Sequence, residues 1–204
     1  GCESCSLDAE GNKFKDGSGK ILKNDVDNDG ICDVDEQLPN IGDETDGGVV
    51  FYVDEVSRMV YVVAKQNAFG EALEWGCNQN VSTSSKIETG KQNTYDAVSA
   101  CSDNGAVKAC ADYEVKEGDK TYKDWFLPSK DELNQMYRSK DSLEKRSGFA
   151  SFASDYFWSS TEAAGKVWRQ KFNKGEQGEK DKNDKNKVRA IRSFSYASAE
   201  IKGC

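Results

Sequence analysis

The order of the apolar segments limits this chain to one class of fold. Two runs rich in β-branched and aromatic residues come first, at 47–53 and 59–64, with a turn at 54–58 that makes them a hairpin. Helical spacing follows over 95–111, broken near Asn104-Gly105, and strand patterns return at 156–160, 166–172 and 188–194. Strands that flank a group of helices, rather than alternating with them, predict an α+β fold with antiparallel strands.

The clearest helix start in the chain is at Ser129. Its hydroxyl can cap the helix, and Glu132 stands three residues later, which completes a capping box. We expect this helix to end near Lys140. The apolar residues at helical spacing form its buried stripe: Leu133, Met136 and Tyr137.

The charge balance excludes some partners. The chain has 204 residues and a formal net charge of -8, and a nucleic-acid-binding surface would need clustered basic residues. No stretch approaches the roughly 20 apolar residues of a membrane span, so we expect none. An acidic surface is better suited to binding cations.

Seven cysteines and no histidine indicate disulfides rather than zinc sites, and therefore an exported protein in an oxidising compartment. The disulfide candidates are Cys2, Cys5, Cys32, Cys77, Cys101, Cys110 and Cys204. Either Cys77–Cys101 or Cys101–Cys110 is possible from spacing, and we favour the first. The odd count leaves one cysteine without a partner in the chain, and the candidates are those near the ends: Cys2, Cys5 and Cys204.

One segment matches the calcium-loop template D-x-D-x-D-G-x5-E at every specified position, from Asp25 to Glu36. Alternate oxygen ligands can converge on one Ca²⁺ ion, and Gly30 permits the sharp turn. The predicted ligands are Asp25, Asp27, Asp29, the Ile31 carbonyl, Asp33 and Glu36. The helices that flank an EF-hand are missing. The segment instead resembles a thrombospondin type 3 repeat, and the resemblance implies an irregular calcium-binding arm over 1–43 with Cys32 in a disulfide.

The remainder of the chain carries a set of short motifs in a characteristic order. They are GGVVFYV at 47–53, WGC at 75–77, GKQNT at 90–94, CADY at 110–113, DWFLPSKDEL at 124–133, YFWSSTE at 156–162 and VRAIRSF at 188–194. In this order they resemble the Lcl C-terminal domain of bacterial collagen-like adhesins. The resemblance implies a C-type-lectin-like domain over 44–204, with two or three helices, antiparallel strands and long polar loops.

The resemblance also suggests where a ligand would bind. In related lectin-like domains the variable contact surface precedes the last strand, which corresponds here to a polar loop region at 163–187. Its candidate ligand-binding residues are Lys166, Arg169, Lys171, Asn173, Lys174 and Glu176. The apolar residues of this region are expected in the core: Val167, Trp168 and Phe172.

Other conspicuous side chains are expected to be structural. Trp125 and Trp158, like Trp168, should lie in the core. Arg189 and Arg192 could bind an anion, but salt bridges are the preferred interpretation. Their expected partners are Glu132, Asp131 or Glu162.

Two functions are compatible with these features. No histidine, nucleophile–base pair or phosphate-binding loop is present, so the chain is not expected to be an enzyme. The preferred function is that of an adhesin-type binder at the bacterial cell surface, with an extracellular glycan or protein as its ligand. The alternative is a structural subunit that assembles with copies of itself into a filament or surface layer, linked by terminal cysteines. In either case we expect a homo-oligomer.

Removal of calcium should destabilise the N-terminal arm, because a segment this polar buries too little apolar area to order itself. A chelator should lower the thermal midpoint or expose residues 21–40 to protease. Glu36→Gln should do the same without chelator, whereas Glu10→Gln, outside the loop, should behave as the parent. An unchanged midpoint and cleavage pattern would rule out a structural calcium site.

Overall fold

The computed structural model describes residues 38–101 and 105–196, and within them the fold is α+β with antiparallel sheets, as predicted. The elements in chain order are β1 (Glu44–Thr45), β2 (Gly48–Asp54), β3 (Met59–Val63), α1 (Gly90–Ala100), α2 (Ala106–Ala111), β4 (Val115–Glu117), β5 (Lys120–Tyr122), α3 (Lys130–Arg138), α4 (Lys140–Leu143), β6 (Tyr156–Ala163), β7 (Lys166–Lys171), β8 (Gln177–Asp181) and β9 (Ile191–Ser195).

The predicted hairpin lies at the centre of a four-stranded sheet with the order β1-β2-β3-β9. Strands β2 and β3 pair antiparallel, and the last strand, β9, returns to pair with β3. Asp54 closes the hairpin turn, because its carboxylate accepts hydrogen bonds from the backbone N–H groups of Val56 and Ser57. The first and last parts of the described chain therefore form one sheet.

Both faces of this sheet are buried, which explains why β2 and β3 are apolar almost throughout. Val50 and Val62 face one core cluster, which contains Trp75 and residues of α1 and α2. Their neighbours Phe51 and Tyr61 face a second cluster with residues of α3 and α4 and several phenylalanines. A strand alternates its side chains between two faces, so each strand contributes to both cores.

The helical pattern at 95–111 corresponds to two helices, as predicted, but α1 begins at Gly90. The early turns were missed because their buried residues, Asn93 and Thr94, are polar. Thr94 links α1 to the start of α3 through a hydrogen bond from Leu127 N to its hydroxyl. The favoured disulfide is confirmed, since Cys77 and Cys101 are bonded.

Of the other candidate cysteines, Cys110 is a free, fully buried thiol on α2, and its burial raises its pKa well above the ordinary value. It is therefore a core residue. The remaining candidates lie outside the described residues: Cys2, Cys5, Cys32 and Cys204.

The predicted capping box of α3 is present in full. Glu132 N donates to the Ser129 hydroxyl at 3.2 Å, and Ser129 N donates to the Glu132 carboxylate at 2.7 Å. The helix ends at Arg138, slightly before the predicted end near residue 140, and the four-residue helix α4 follows.

A second sheet contains β6, β7 and β8. Strands β6 and β7 were predicted, but β8 lies in the region 163–187 that was expected to be a polar loop. That expectation was wrong for much of the region, which is a hairpin of β7 and β8. Strand β8 has the sequence QGEKD, which has no apolar pattern to predict it; backbone hydrogen bonds to β7 define it as an edge strand. The short hairpin of β4 and β5 was missed because its strands, VKE and KTY, are equally short of apolar residues.

Glu132 holds the starts of two helices together. Besides Ser129 N, its carboxylate accepts hydrogen bonds from Glu88 N at 2.9 Å and from Gly90 N. A Cβ on Gly90 would lie 2.2 Å from the carboxylate, so this close approach requires glycine. Burial raises the pKa of Glu132 to about 7, because the three backbone donors only partly offset the loss of hydration.

This raised pKa should make the fold more stable in mild acid. The native state holds a proton on Glu132 at pH values where the unfolded chain has lost it, so the stabilisation is complete below the unfolded pKa of 4.5 and is lost as pH rises through about 7. The change amounts to roughly 3 kcal/mol in the free energy of unfolding. Urea unfolding of the parent and Glu132→Gln at pH 5 and pH 8 measures it.

The Gln variant should lack this component of the pH dependence, because an amide does not titrate. Glu179→Gln, at an exposed position on β8, should retain the parent's pH dependence. An identical pH dependence in the parent and Glu132→Gln would contradict the assignment.

Candidate functional site

The six candidate ligand-binding residues lie on the β7–β8 hairpin but do not form one cluster. Lys166 is at the start of β7, five residues and on the order of 16 Å from Lys171 at its end. Arg169 lies within β7, and the other three lie in or beside the turn that joins β7 to β8. This turn is closed by hydrogen bonds from Gly175 N to Lys171 O and from Lys171 N to Glu176 O. Asn173, Lys174 and Glu176 are exposed there.

Three side chains of the second sheet form what we call the cationic patch: Tyr156, Arg169 and Lys171. The guanidinium carbon of Arg169 lies 3.8 Å from the centre of the Tyr156 ring, and Lys171 Nζ lies 5.1 Å from it. Arg169 Nη1 also donates to Asn186 Oδ1 at 3.0 Å. Stacking and hydrogen bonding together hold the guanidinium in one orientation. The sequence pattern did not identify Tyr156, which lies outside 163–187.

The tryptophans are only partly as predicted. Trp125 and Trp158 are buried, as expected. Trp168 is partly exposed because it points to the opposite face of β7 from the buried Val167. Its ring is covered by Lys130 Nζ, 4.3 Å from the ring centre. Phe172, at the end of the same strand, is buried as predicted.

Arg189 is fully buried, and its guanidinium bonds to neutral groups rather than to an expected carboxylate. It donates to Asn67 Oδ1 and to the backbone carbonyls of Ala64, Lys65 and Ala150, at 2.8–3.1 Å. Burial lowers its pKa to about 10, which leaves it charged at neutral pH. It is therefore a structural residue and not a ligand contact.

Arg192 forms a salt bridge, but with Asp124, at 2.7 Å between Nε and Oδ1. Neither arginine bonds to Asp131, and the other two expected carboxylates are used elsewhere. Glu132 caps helices, and Glu162 is paired with Lys182. The sequence could not distinguish these partners, because they are separated by tens of residues along the chain.

A polar crevice of about 330 Å³ lies between residues 80–83 and the turn from β6 to β7. We call it the Glu162 crevice. One wall is formed by residues 80–83. The other is formed by Glu162 and by the β6–β7 turn residues Ala164 and Gly165. Glu162 and Lys182 form an ion pair beneath it, with side chains that are only 7% and 6% exposed. Sequence analysis did not identify this site as a cavity.

An apolar cavity of about 440 Å³ lies beside α2. Phe69, Leu73 and Tyr113 line it, and the ion pair of Lys108 with Asp112 stands at its edge. Phe69 is half exposed there.

The predicted calcium ligands lie outside the described residues, so the calcium site stays a prediction: Asp25, Asp27, Asp29, Ile31, Asp33 and Glu36. In the part of the chain that the structure describes, no group of three or more Cys, Asp or Glu side chains is arranged to hold a metal ion.

In residues 38–101 and 105–196, no helix has the length and apolar character needed to span a bilayer.

Comparison with known proteins identifies the family. A search of curated proteins finds no match to the chain. The family model described as the Lcl C-terminal domain matches residues 69–192, from before α1 to within β9. Since this match covers more than half of the chain, the protein belongs to the Lcl C-terminal domain family.

Proposed function

We propose that this protein is a non-catalytic, adhesin-type binding module that acts outside the cell and contacts its ligand through the cationic patch. The observation that carries the proposal is the Arg169 guanidinium stacked 3.8 Å from the Tyr156 ring centre, with Lys171 beside the same ring. We further propose that the domain has the C-type-lectin-like fold, which the family resemblance implies.

The patch is preorganised for binding a negatively charged group. Ligand binding should cost Arg169 little conformational entropy, because Tyr156 and Asn186 already hold its side chain in place. Within the described residues, Lys171 Nζ has no hydrogen-bond or ion-pair partner. Its charge is therefore available to a ligand.

A local excess of positive charge would make the patch selective. Most of the chain's net charge of -8 comes from residues 1–37, and the described residues are close to neutral as a whole, so a local pair of cations would define where an acidic ligand docks. In the adjoining turn Lys174 adds a positive charge, which the exposed carboxylate of Glu176 partly offsets. An extracellular glycan or protein with acidic groups would fit this surface.

Among the described residues, the arrangement of titratable groups gives no support to a catalytic role. The chain contains no histidine. The buried groups with shifted pKa values have structural partners: Glu132 holds helix ends, and Arg189 bonds to backbone carbonyls. Cys110 is enclosed in the core and its raised pKa disfavours the thiolate that a nucleophile requires.

Two observations support a location outside the cell. The disulfide between Cys77 and Cys101 persists best in an oxidising compartment. The Lcl C-terminal domain family suggests a surface protein of adhesin type.

Removal of the two cations should weaken binding by about tenfold or more, since each charge-assisted contact is worth roughly a kcal/mol or more. The measurement is binding of the parent and an Arg169→Ala, Lys171→Ala double variant to arrays of acidic and neutral glycans and of immobilised extracellular proteins. Loss of the two contacts should also reduce the salt dependence of binding.

A matched control carries the same charge change on the β4–β5 hairpin, where Lys116 and Lys120 are exposed. Lys116→Ala with Lys120→Ala should bind as the parent does, and thermal midpoints should confirm that both variants fold. Equal binding by both double variants would overturn the assignment. Absence of binding to every array, together with a reductant-sensitive ladder on a gel, would favour the self-assembling subunit instead.

A further inference from the structure

The Glu162 crevice is a second polar cavity at the opposite end of β7 from Lys171. Its floor contains the carboxylate of Glu162, a side chain that is more than nine-tenths buried yet lines an open cavity. The proposed function does not use this cavity. Charged groups are rarely buried without a defined set of partners, so the residues around the crevice have a specific arrangement.

Hydrogen bonds fix the two walls of the crevice to each other. Val81 N donates to Glu162 Oε2 at 2.8 Å, and Glu162 N donates to the Thr83 hydroxyl at 2.8 Å. Further along the same loop, the Thr161 hydroxyl donates to Ser84 O at 3.1 Å. The loop is thus bound along the end of β6, and the cavity keeps its shape without a ligand.

The charge at the floor is balanced internally. Lys182 Nζ pairs with Glu162 Oε1, donates to Gln79 O at 2.6 Å and lies 4.9 Å from the centre of the Trp75 ring. The lysine is therefore fully occupied by the protein. An added cation would compete with Lys182, and an added anion would stand beside a buried carboxylate, so an uncharged ligand is favoured.

The remaining hydrogen-bonding capacity calls for a ligand with both donors and acceptors. A carboxylate offers about four acceptor positions, and Val81 and Lys182 occupy two of those on Glu162. Glu162 Oε1 is buried, so a ligand O–H group would donate to the remaining position on Oε2. The Asn80 amide and the Ser82 hydroxyl on the opposite wall can each donate or accept. Adjacent hydroxyl groups on one ring meet these requirements together.

We propose that the Glu162 crevice binds a single uncharged sugar unit by direct hydrogen bonds. A volume of about 330 Å³ is at the small end of the range for ligand pockets, which fits one pyranose ring. The described lining contains no aromatic side chain on which a sugar could stack. The affinity of an isolated unit is therefore expected to be weak, about millimolar.

The test titrates the folded protein with methyl glycosides of mannose, galactose, fucose and N-acetylglucosamine, and with glucuronic acid and glucosamine as charged comparisons. Backbone amide NMR signals are the measurement. At least one uncharged glycoside should shift the signals of Asn80, Thr83 and Gly165 and saturate below about 50 mM. The charged sugars should bind at least about tenfold more weakly.

Two variants locate the site without altering the ion pair. Ser82→Trp should fill the crevice and abolish the shifts, and Asn80→Ala should weaken them severalfold; both positions are exposed. Val56→Trp adds the same bulk at a 97% exposed position on the β2–β3 turn and should leave binding unchanged.

Three results would overturn the proposal: no shift with any uncharged glycoside up to about 50 mM, shifts that survive in Ser82→Trp, or equal binding of the charged sugars. The Arg169→Ala, Lys171→Ala variant separates this site from the proposed function. It should bind glycosides in the crevice as the parent does. A negative result for glycoside binding in the crevice would therefore not contradict ligand binding by the cationic patch, and a negative result for the patch would not contradict the crevice.

Discussion

The buried guanidinium of Arg189 joins parts of the chain that no secondary-structure element connects. Its hydrogen bonds reach the residues after β3, at Ala64 and Lys65, the side chain of Asn67, and the carbonyl of Ala150. Burying a charge costs several kcal/mol, and this cost is offset by the acceptors that all three guanidinium nitrogens find here. The interaction therefore specifies one arrangement of the segments around it.

The aromatic core completes the environment of this cation. The guanidinium carbon lies 4.6 Å from the ring centre of Phe152 and 5.0 Å from that of Phe149. Phe152 in turn stacks on Phe172 at the end of β7. The position of the β7–β8 hairpin, and with it the cationic patch, thus depends on the core that Arg189 organises.

Polar contacts play the same role around α1 and the second sheet. Glu132 joins the beginnings of α1 and α3, while the hydrogen bonds of Glu162 and Thr161 hold residues 81–84 against β6. The disulfide between Cys77 and Cys101 links the chain just after Trp75 to the end of α1. These links stabilise the long irregular segment between β3 and α1. Both proposed binding sites lie on surfaces that such links keep rigid.

Local patterns predicted the elements that depend on neighbouring residues. The capping box of Ser129 and Glu132 was visible because its two partners stand three residues apart. The β2–β3 hairpin was visible because β-branched and aromatic residues flank a short turn. The motifs that run from Trp75 to Arg192 were sufficient to identify the family, which the match over 69–192 confirms.

What the sequence determined by itself was therefore the α+β class, the main hairpin, the capped helix and the family, while for the disulfide it left two pairings open. Tertiary structure alone decided that β8 is a strand, that Arg192 pairs with Asp124, and that Glu162, which lines a crevice, pairs with Lys182. The physical reason is the distance along the chain over which each interaction acts. Apolar periodicity and capping are local and leave a pattern, whereas a polar edge strand or a buried ion pair is defined by partners that only folding brings together.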